Sequence, residues 1–369
     1  MTDDILIFSR FVLNENGGGG CRRESQLAEA LLPLEYRFFS SRDSDWIKNK
    51  VSKTEHRKLK WEEKISPYKN FWVNDYYRDA AFKIKAAATD WIKHIKENPR
   101  VKLVIMDDPL YFYPLVEYLY KKKIPVVGLC QNIESLSYSQ LNRNYQLKLF
   151  NKEIKLLKKC ALIITISREE TFLLKNFNIP THYLPYYPVT SIEDRMKQVR
   201  ERRKGTPKEG FLMIGTAGNK VTRDGMKAFI DFWRNGKNKG KEEKLLVAGY
   251  GITKFLNVPE ADNIDFLGEI SNQLHDDILA SVKAMVCFQE FGSGALTKIR
   301  EMMIAGVPVL ANSHAARSYH EYDGVVEFSD FDDLENAIAR LEQLKISLPD
   351  QNRRPSNAKL LKQIKTLMD

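Results

Sequence analysis

Short, uninterrupted runs of apolar residues alternate with helix-like segments along most of this chain, and this alternation restricts the possible folds more than any other feature. In the first half the apolar runs fall at 5–8, 101–106, 124–129 and 161–166. Runs without polar alternation are typical of strands buried on both faces, as in parallel sheets. Helical patterns separate them at 24–32, 110–122 and 169–175. Strand–helix–strand units of this kind predict a doubly wound α/β sheet.

The second half repeats the pattern, with apolar runs at 211–214, 244–248, 264–267, 284–288, 307–310 and 325–328. A length of 369 residues suits two domains. We predict two doubly wound, Rossmann-like domains that face a central cleft, because such sheets bind ligands at the carboxyl ends of their strands. The predicted parts are an N-terminal domain at 1–190, an Arg- and Lys-rich linker at 191–210, a C-terminal domain at 211–349, and a C-terminal helix at 350–369 that could cross back to the N-terminal domain.

The charge balance points to an anionic partner. Lys and Arg number 58 against 48 Asp and Glu, a net charge of +10. Nucleic acid, acidic lipid and phosphorylated small molecules all fit such a surplus. The four cysteines are far apart, which disfavours a cysteine-based zinc site, and Cys130, Cys160 and Cys287 are expected to be reduced core residues. Without a signal peptide pattern or a long apolar run, we expect a cytoplasmic protein.

Two basic segments lie in the first half. Residues 41–100 carry 15 Lys or Arg and 9 Asp or Glu, and we expect helices inserted here between the first and second strands. Between 142 and 159 a single acid, Glu153, stands among six basic residues: Arg143, Lys148, Lys152, Lys155, Lys158 and Lys159. Basic amphipathic helices suit the surface of an anionic membrane, although a merely solvated helical face explains them equally well. Peripheral membrane contact is therefore one expectation.

Three glycine-rich loops each follow a predicted strand and open a helix. The first, Gly17–Gly20, is followed by Arg22 and Arg23. Glycine lets backbone N–H groups approach a ligand closely, and a helix N-terminus favours an anion. The loop therefore predicts contact with an anion or a sugar phosphate, with Gly18 and Gly19 at its centre. A plain connecting loop is the alternative.

The second loop runs from Gly215 to Gly225 and contains Gly218, Lys220 and Arg223. Lys220 and Arg223 are three residues apart, so both side chains could face a diphosphate. A solvated basic turn is the alternative.

The third loop is the most informative. Its sequence is Phe-Gly-Ser-Gly-Ala-Leu-Thr-Lys-Ile-Arg-Glu-Met-Met-Ile-Ala-Gly-Val-Pro-Val at 291–309. The turn at Gly292, Ser293 and Gly294 can offer N–H groups to a phosphate, and the carboxylate of Glu301 can accept hydrogen bonds from a ribose diol. Lys298 and Glu301 could instead form an ordinary surface pair.

This third motif resembles the donor-site signature of GT-B glycosyltransferases, and the closest resemblance is to the retaining family 4. Further segments support it: Gly249-Tyr-Gly251, Asn263–Gly268, Leu274–Ala280, Leu184–Pro188 and Gln131-Asn-Ile-Glu134. The resemblance is strong over about 211–330 and weaker in the first half, where 41–100 carries no motif of the family.

The resemblance implies roles for particular residues. The basic pair Lys220 and Arg223 would hold the donor diphosphate and stabilise the leaving group, and Glu301 would contact the donor ribose. The other implied donor-site residues are Gly18, Gly19, Gly218, Ser293, Gly294 and Lys298. Acceptor contacts are expected from Arg22, Asp108 and Asn132, although Asp108 could instead cap the next element.

Two positions depart from the family pattern. Ser293 stands where the first Glu of the family's Glu-x7-Glu motif is expected, and Gln131 stands where the family has a histidine. Glutamine can donate and accept hydrogen bonds but cannot act as a base. We retain Gln131 as a catalytic-site residue, while a catalytically degenerate member remains an alternative.

The resemblance therefore predicts a retaining, hexosyltransferase-like glycosyltransferase that uses neither a metal nor a cofactor. It would move a sugar from a nucleotide-diphospho-sugar to a polysaccharide, glycolipid or lipid-linked acceptor. The alternatives are a nucleotide-sugar-binding protein without turnover and a GT-B sugar-nucleotide epimerase. Nucleic acid is not expected as a partner, because no recognition motif accompanies the charge.

Overall fold

A computed structural model describes residues 4–41, 87–137, 143–235, 243–256, 261–341, 344 and 357–369. The chain forms two compact units. The first unit comprises Met1–Asn14, Arg23–Pro185 and Ser356–Asp369, and the second comprises Glu15–Arg22 and Tyr186–Pro355. Each unit has its own sheet and its own hydrophobic core, so each is described separately.

The first unit is built on a six-stranded parallel sheet in the order β2-β1-β3-β4-β5-β6. Its strands are β1 (Ile5–Ser9), β2 (Arg37–Ser40), β3 (Leu103–Asp107), β4 (Val126–Leu129), β5 (Leu162–Thr165) and β6 (Thr181–Tyr183). All residues of β1, β3, β4 and β5 are buried, which explains their uninterrupted apolar sequences. Helices cover both faces.

The second unit is built on another six-stranded parallel sheet, in the order β12-β11-β10-β7-β8-β9. Its strands are β7 (Phe211–Ile214), β8 (Leu245–Ala248), β9 (Ile264–Gly268), β10 (Ala284–Cys287), β11 (Val309–Asn312) and β12 (Val325–Phe328). Counted within the unit, this is the order 3-2-1-4-5-6 of dinucleotide-binding folds. Two doubly wound sheets confirm the predicted fold class.

The helices alternate with the strands. In the first unit and its boundary they are α1 (Gly19–Ala30), α2 (Tyr113–Lys122), α3 (Glu134–Ser137), α4 (Arg143–Leu157) and α5 (Arg168–Asn176), with a helical stretch at 87–97. In the second unit they are α6 (Thr190–Arg203), α7 (Lys220–Asn235), α8 (Ile252–Phe255), α9 (Asn272–Ser281), α10 (Thr297–Ile304), α11 (Ser313–Ala316) and α12 (Leu334–Leu341). A last helix, α13 (Ala358–Thr366), returns to the first unit.

The basic insertion lies one strand later than the sequence suggested. Strand β2 (Arg37–Ser40) pairs with β1 and precedes residues 41–100, so the insertion lies between the second and third strands. The strand is short and on the sheet edge, with Arg37 exposed, and it therefore lacks the buried apolar run of a central strand. Of the insertion, 42–86 is outside the described residues, whereas Ala87, Ala88 and Trp91 of the helical stretch are buried in the first core.

The segment interpreted as a linker at 191–210 is largely helical. Helix α6 belongs to the second unit, and Ile192, Met196 and Val199 lie in a core of that unit. Its arginines are used structurally: Arg200 donates to the carbonyl oxygens of Met303 (2.8 Å) and Ile304 (2.9 Å) at the end of α10. Carbonyls at a helix C-terminus have no partner within the helix and favour cations. The many basic residues thus mark a packed helix rather than a connector.

All four cysteines are buried and none of them forms a disulfide, which confirms the core placement of Cys130, Cys160 and Cys287. No helix in the described ranges is both long enough and apolar enough to cross a lipid bilayer. Within the same ranges, no group of three or more His, Cys, Asp or Glu side chains is arranged to hold a metal ion.

Candidate functional site

The topology of the second sheet marks a place for a ligand. Strands β7 and β10 are neighbours although they are not consecutive, so the strand order reverses between them. The loops after two such strands diverge and leave a crevice at the carboxyl edge, where doubly wound sheets bind ligands. Here those loops are the glycine-rich segments at 215–219 and 288–296. The structure therefore brings two of the three sequence-predicted loops to one edge of one sheet.

The loop after β7 delivers two basic side chains to the start of a long helix. Helix α7 begins at Lys220 and has 16 residues. Lys220 Nζ lies 2.6 Å from Asp224 Oδ2, and Arg223 Nη1 donates to the carbonyl oxygen of Ala217 at 3.1 Å. At Gly218 a Cβ atom would lie 3.6 Å from the ring of Tyr250. Both cations thus stand in the first helical turn, where the helix dipole also favours an anion.

The loop after β10 needs glycine at two positions. Gly292 has a φ of 111° and Gly294 a φ of 73°, a region that other residues rarely adopt. The Gly292 carbonyl oxygen lies 2.9 Å from His314 Nε2, and Arg317 Nη2 donates to the Gly294 carbonyl oxygen at 2.7 Å. Ser293 lies between these two anchored residues. Sequence reasoning missed His314 and Arg317, because nothing in their local sequence shows that they hold loop residues 22 and 23 positions earlier in the chain.

Lys298, in the first turn of α10, bonds the end of β7. Its Nζ donates to the carbonyl oxygen of Ile214 at 2.7 Å, at the end of β7. The same atom lies 3.6 Å from the position that a Cβ atom would take at Gly215. Lys298 is therefore directed towards the sheet edge, and the alternative of a surface pair with Glu301 does not describe its contacts.

Glu301 is completely buried and both of its carboxylate oxygens have partners. Tyr186 O–H donates to Oε1 at 2.6 Å, and Arg22 Nη1 donates to Oε2 in a close ion pair. Burial and the adjacent Glu301 raise the pKa of the Tyr186 hydroxyl well above its ordinary value. Burial lowers the pKa of Arg22, but the charge of Glu301 outweighs this and the net shift is upwards. Both partners thus keep their protons while orienting the carboxylate.

Arg22, an expected acceptor contact, has two partners within the protein. Its guanidinium pairs with Glu301, and its Nε donates to the Gly17 carbonyl oxygen at 2.9 Å, in the first glycine loop. Gly19 opens helix α1, and a Cβ atom there would lie 3.3 Å from Thr297 Oγ1, whereas nothing lies within 4 Å of the same position at Gly18. The first glycine-rich loop is therefore close to the start of α10. Tyr186 is a residue that sequence reasoning did not single out.

A second polar cluster lies at the carboxyl edge of the first sheet. Strands β1 and β3 are neighbours there. The residue after β1, Arg10, pairs with Asp107, the last residue of β3, and with Asp108, which follows it. Arg10 Nε lies 3.0 Å from Asp107 Oδ2, and the guanidinium stacks 3.6 Å above the ring centre of Tyr111. Burial lowers the pKa of Arg10, but Asp108 and Asp107 more than compensate and raise it well above its ordinary value.

Gln131, Asn132 and Asp108 meet in this cluster. The Gln131 backbone N–H donates to Asp108 Oδ1 at 2.9 Å, and the Gln131 side-chain Nε2 donates to Asp107 Oδ1 at 3.2 Å. Asn132 hydrogen-bonds the Glu134 side chain. Burial raises the pKa of Asp108 well above its ordinary value, and burial likewise raises that of Glu134. Asp108 is thus engaged with Arg10 and the Gln131 backbone, and caps no helix by its side chain.

Comparisons with known proteins agree with this architecture. Residues 208–343 match the profile of the family "Glycosyl transferases group 1". No curated protein matches the chain in sequence.

Three similar solved structures cover nearly the whole chain. A sucrose-phosphate synthase from Thermosynechococcus elongatus is 14% identical, with a TM-score of 0.59 over 99% of this chain and 95% of its own. Anabaena HepE in complex with UDP and glucose is 13% identical, with a TM-score of 0.61 over 98% of each chain. An α,α-trehalose-phosphate synthase (UDP-forming) from Burkholderia xenovorans in complex with glucose-6-phosphate is 10% identical, with a TM-score of 0.60 over 98% of this chain and 96% of its own. The chain therefore has the GT-B fold.

Proposed function

We propose that this chain is a glycosyltransferase that moves a sugar from a nucleotide-diphospho-sugar to a polysaccharide, glycolipid or lipid-linked acceptor. One observation carries the proposal: the loops after β7 and β10 lie at the switch point of the second sheet, where Lys298 of α10 bonds the end of β7 and α7 presents Lys220 and Arg223 in its first turn. The match to glycosyl transferases group 1 covers this same part of the chain.

In the proposed donor site, the second unit holds the nucleotide diphosphate. Lys220, Arg223 and the N–H groups of the two loops offer positive charge to the oxygens of the leaving diphosphate, where negative charge grows as the glycosidic bond breaks. A fixed cationic site of this kind does the work that a divalent ion does elsewhere, and we therefore propose a metal-independent reaction. We also propose retention of configuration at the transferred sugar.

Glu301 is proposed to bind the ribose diol. An ionised carboxylate has about four acceptor positions on its two oxygens. Tyr186 and Arg22 each use one of them, so the carboxylate is oriented by the protein and can still accept hydrogen bonds from a ligand.

The proposal is tested by binding and by turnover. UDP-, GDP-, ADP- and TDP-glucose are screened for a rise in melting temperature, because a ligand that binds only the folded state stabilises it by about 2.7 kcal/mol at a hundredfold excess over Kd. Glu301→Ala should abolish the shift given by the preferred donor, whereas the exposed Glu269→Ala should keep it. An unchanged shift in Glu301→Ala would mean that the ribose does not bind there.

Turnover separates transfer from the two alternative functions. A transferase releases nucleoside diphosphate in the presence of an acceptor and yields a glycosylated product. Binding of the donor without release of nucleoside diphosphate, over a broad acceptor panel, would favour a protein that binds nucleotide sugars without turnover. The departures from the family pattern at Gln131 and Ser293 would agree with that result. Conversion of one nucleotide sugar into another would favour an epimerase.

We propose that the first unit binds the acceptor and that this unit contacts an anionic membrane surface. Helix α4 exposes Lys148 and Lys155, with Lys158 just beyond its end, and Leu147 is 56% exposed among them. A basic helix that also exposes an apolar side chain suits an acidic lipid surface.

Cosedimentation with lipid vesicles tests this contact. At low salt the chain should bind vesicles that contain phosphatidylglycerol and not vesicles of phosphatidylcholine alone. Replacing Lys148, Lys155 and Lys158 together by Gln should weaken the binding about a hundredfold, since each basic residue near such a surface contributes about 1 kcal/mol and about 1.4 kcal/mol is a factor of ten. Equal binding to both kinds of vesicle, or none to either, would contradict the membrane proposal.

A further inference from the structure

An acidic side chain is buried in the most basic helix of the first unit. Glu153 is the only acid in α4, yet it is 2% exposed and lies beside the core residue Ile154. Taking a carboxylate out of water costs several kcal/mol unless hydrogen bonds replace the lost solvation. Glu153 could have paired with the surface lysines of its own helix. A buried Glu153 therefore needs hydrogen-bond donors elsewhere in the unit.

Its partners are the first backbone amides of α3. Oε1 accepts from the Glu134 N–H at 2.9 Å, and Oε2 accepts from the Ser135 N–H at 2.9 Å and from the Ser135 hydroxyl. The first amides of a helix have no acceptor within the helix. One residue earlier, the Ile133 N–H donates to Glu170 Oε1 at 2.8 Å. Two buried carboxylates thus hold three consecutive peptide groups.

These peptide groups continue directly into the polar cluster of the first sheet. Gln131 and Asn132 immediately precede Ile133, and the Gln131 N–H is fixed by Asp108. The backbone of 131–135 is therefore held at both ends, by Asp108 at Gln131 and by Glu153 at Glu134 and Ser135. Glu134 in turn accepts from the Tyr111 hydroxyl at 3.2 Å and hydrogen-bonds Asn132.

We propose that Glu153 is a positioning residue for the proposed reaction: by fixing the backbone at Glu134 and Ser135, it holds Gln131 and Asn132 where the substrate meets them. This inference rests on the proposed function. Glu153 itself touches no substrate and acts through the loop. Glu170 shares the task but also bonds Ser167, the N-cap of α5, so Glu153 is the residue whose change perturbs the loop alone.

The variant that tests the proposal is Glu153→Gln. The amide has nearly the shape of the carboxyl, but its NH2 group would face hydrogen-bond donors where an acceptor is needed. The control is Glu169→Gln, which removes an exposed acid from the neighbouring helix α5. Both variants are made in the full chain and compared with the wild type by hydrogen–deuterium exchange, by donor binding and by turnover.

We expect faster exchange of the amides at 131–137 in Glu153→Gln, and a fall in kcat of at least about tenfold, since misplacement by 1 Å can cost about a hundredfold. Binding of the donor selected from UDP-, GDP-, ADP- and TDP-glucose should stay within twofold, because its proposed site lies in the second unit. Glu169→Gln should match the wild type in all three measurements.

Three results would overturn the proposal: unchanged exchange at 131–137, faster exchange with wild-type kcat, or an equal fall in donor binding and kcat. A wild-type chain that binds and transfers no sugar would contradict the proposed function instead. The exchange measurement then still decides whether Glu153 orders the loop, because it requires no turnover.

Discussion

At the scale of single residues, the contact between Arg22 and Glu301 gives a prediction about stability. The Glu301 side chain is 1% exposed and that of Arg22 is 18% exposed, so the pair is largely removed from water. Removing one partner of such a pair leaves the other charge buried without compensation. We expect Arg22→Ala to lower the free energy of unfolding by roughly 3 kcal/mol, measured by urea denaturation without ligand.

The chain offers a matched control for this substitution. Arg202 and Asp277 form an ion pair at 2.8 Å whose side chains are 43% and 49% exposed. Exposed pairs contribute about 0–1 kcal/mol. Arg202→Ala should therefore change the free energy of unfolding only slightly, and equal effects of the two substitutions would show that burial of the Arg22 pair has no energetic weight.

At this scale, only some residues of the candidate site could be predicted from the sequence. The glycines near Lys220, Arg223 and Lys298 indicate the two loops. Glycine and basic residues at a strand–helix junction are typical of anion binding, because the backbone N–H groups and the helix N-terminus attract negative charge there. Tyr186 could not be found in this way. Its hydroxyl meets a carboxylate 115 positions later in the chain, and no local pattern encodes such a contact.

At the scale of secondary structure elements, the junction of α3 and α4 predicts a pH dependence of stability. Burial is the main reason that the pKa of Glu153 rises from 4.5 to about 7. The titratable groups that face it are Glu134 and Cys130. Because the folded chain binds this proton more tightly than the unfolded chain, the contribution of Glu153 to stability is fully present below pH 4.5 and is lost as the pH rises through 7.

The size of this effect follows from the shift. A difference of about 2.5 pH units corresponds to about 3 kcal/mol. Gln carries no such proton, so the free energy of unfolding of the wild type relative to Glu153→Gln should fall by about this amount between pH 4.5 and 8. Urea denaturation at several pH values measures it. If the free energy of unfolding varied with pH equally in the wild type and in Glu153→Gln, Glu153 would not be the group that titrates. The control Glu169→Gln should show the same pH dependence as the wild type.

The elements themselves were predictable to different degrees. Central strands such as β3 and β10 are buried on both faces and therefore have uninterrupted apolar sequences. The edge strands β2 and β6 are short and partly exposed, so they lack that signal. Helix α6 was mistaken for a linker because its charged residues outnumber its apolar ones, although Ile192, Met196 and Val199 have the spacing of one helical face.

At the scale of the whole molecule, the end of the chain completes the core of its beginning. Helix α13 belongs to the first unit, where Leu360 and Ile364 are fully buried together with Leu27 of α1 and Leu31, which follows that helix. His182 Nδ1 of β6 lies 2.7 Å from Gln363 Oε1. The first unit therefore depends on residues that follow the entire second unit in sequence, a dependence that no local pattern of the first half reveals.

This arrangement predicts which sheet responds to a change in the last helix. Leu360→Ala and Ile364→Ala should each lower stability by about 3 kcal/mol, because each leaves a cavity in the first core. Hydrogen exchange should accelerate in β1 and β3, whose residues share that core, and remain unchanged in β7 and β8. The exposed Lys362→Ala and Lys365→Ala are the controls and should exchange as the wild type does. Faster exchange in the strands of the second unit, or none in those of the first, would show that α13 does not support the first core.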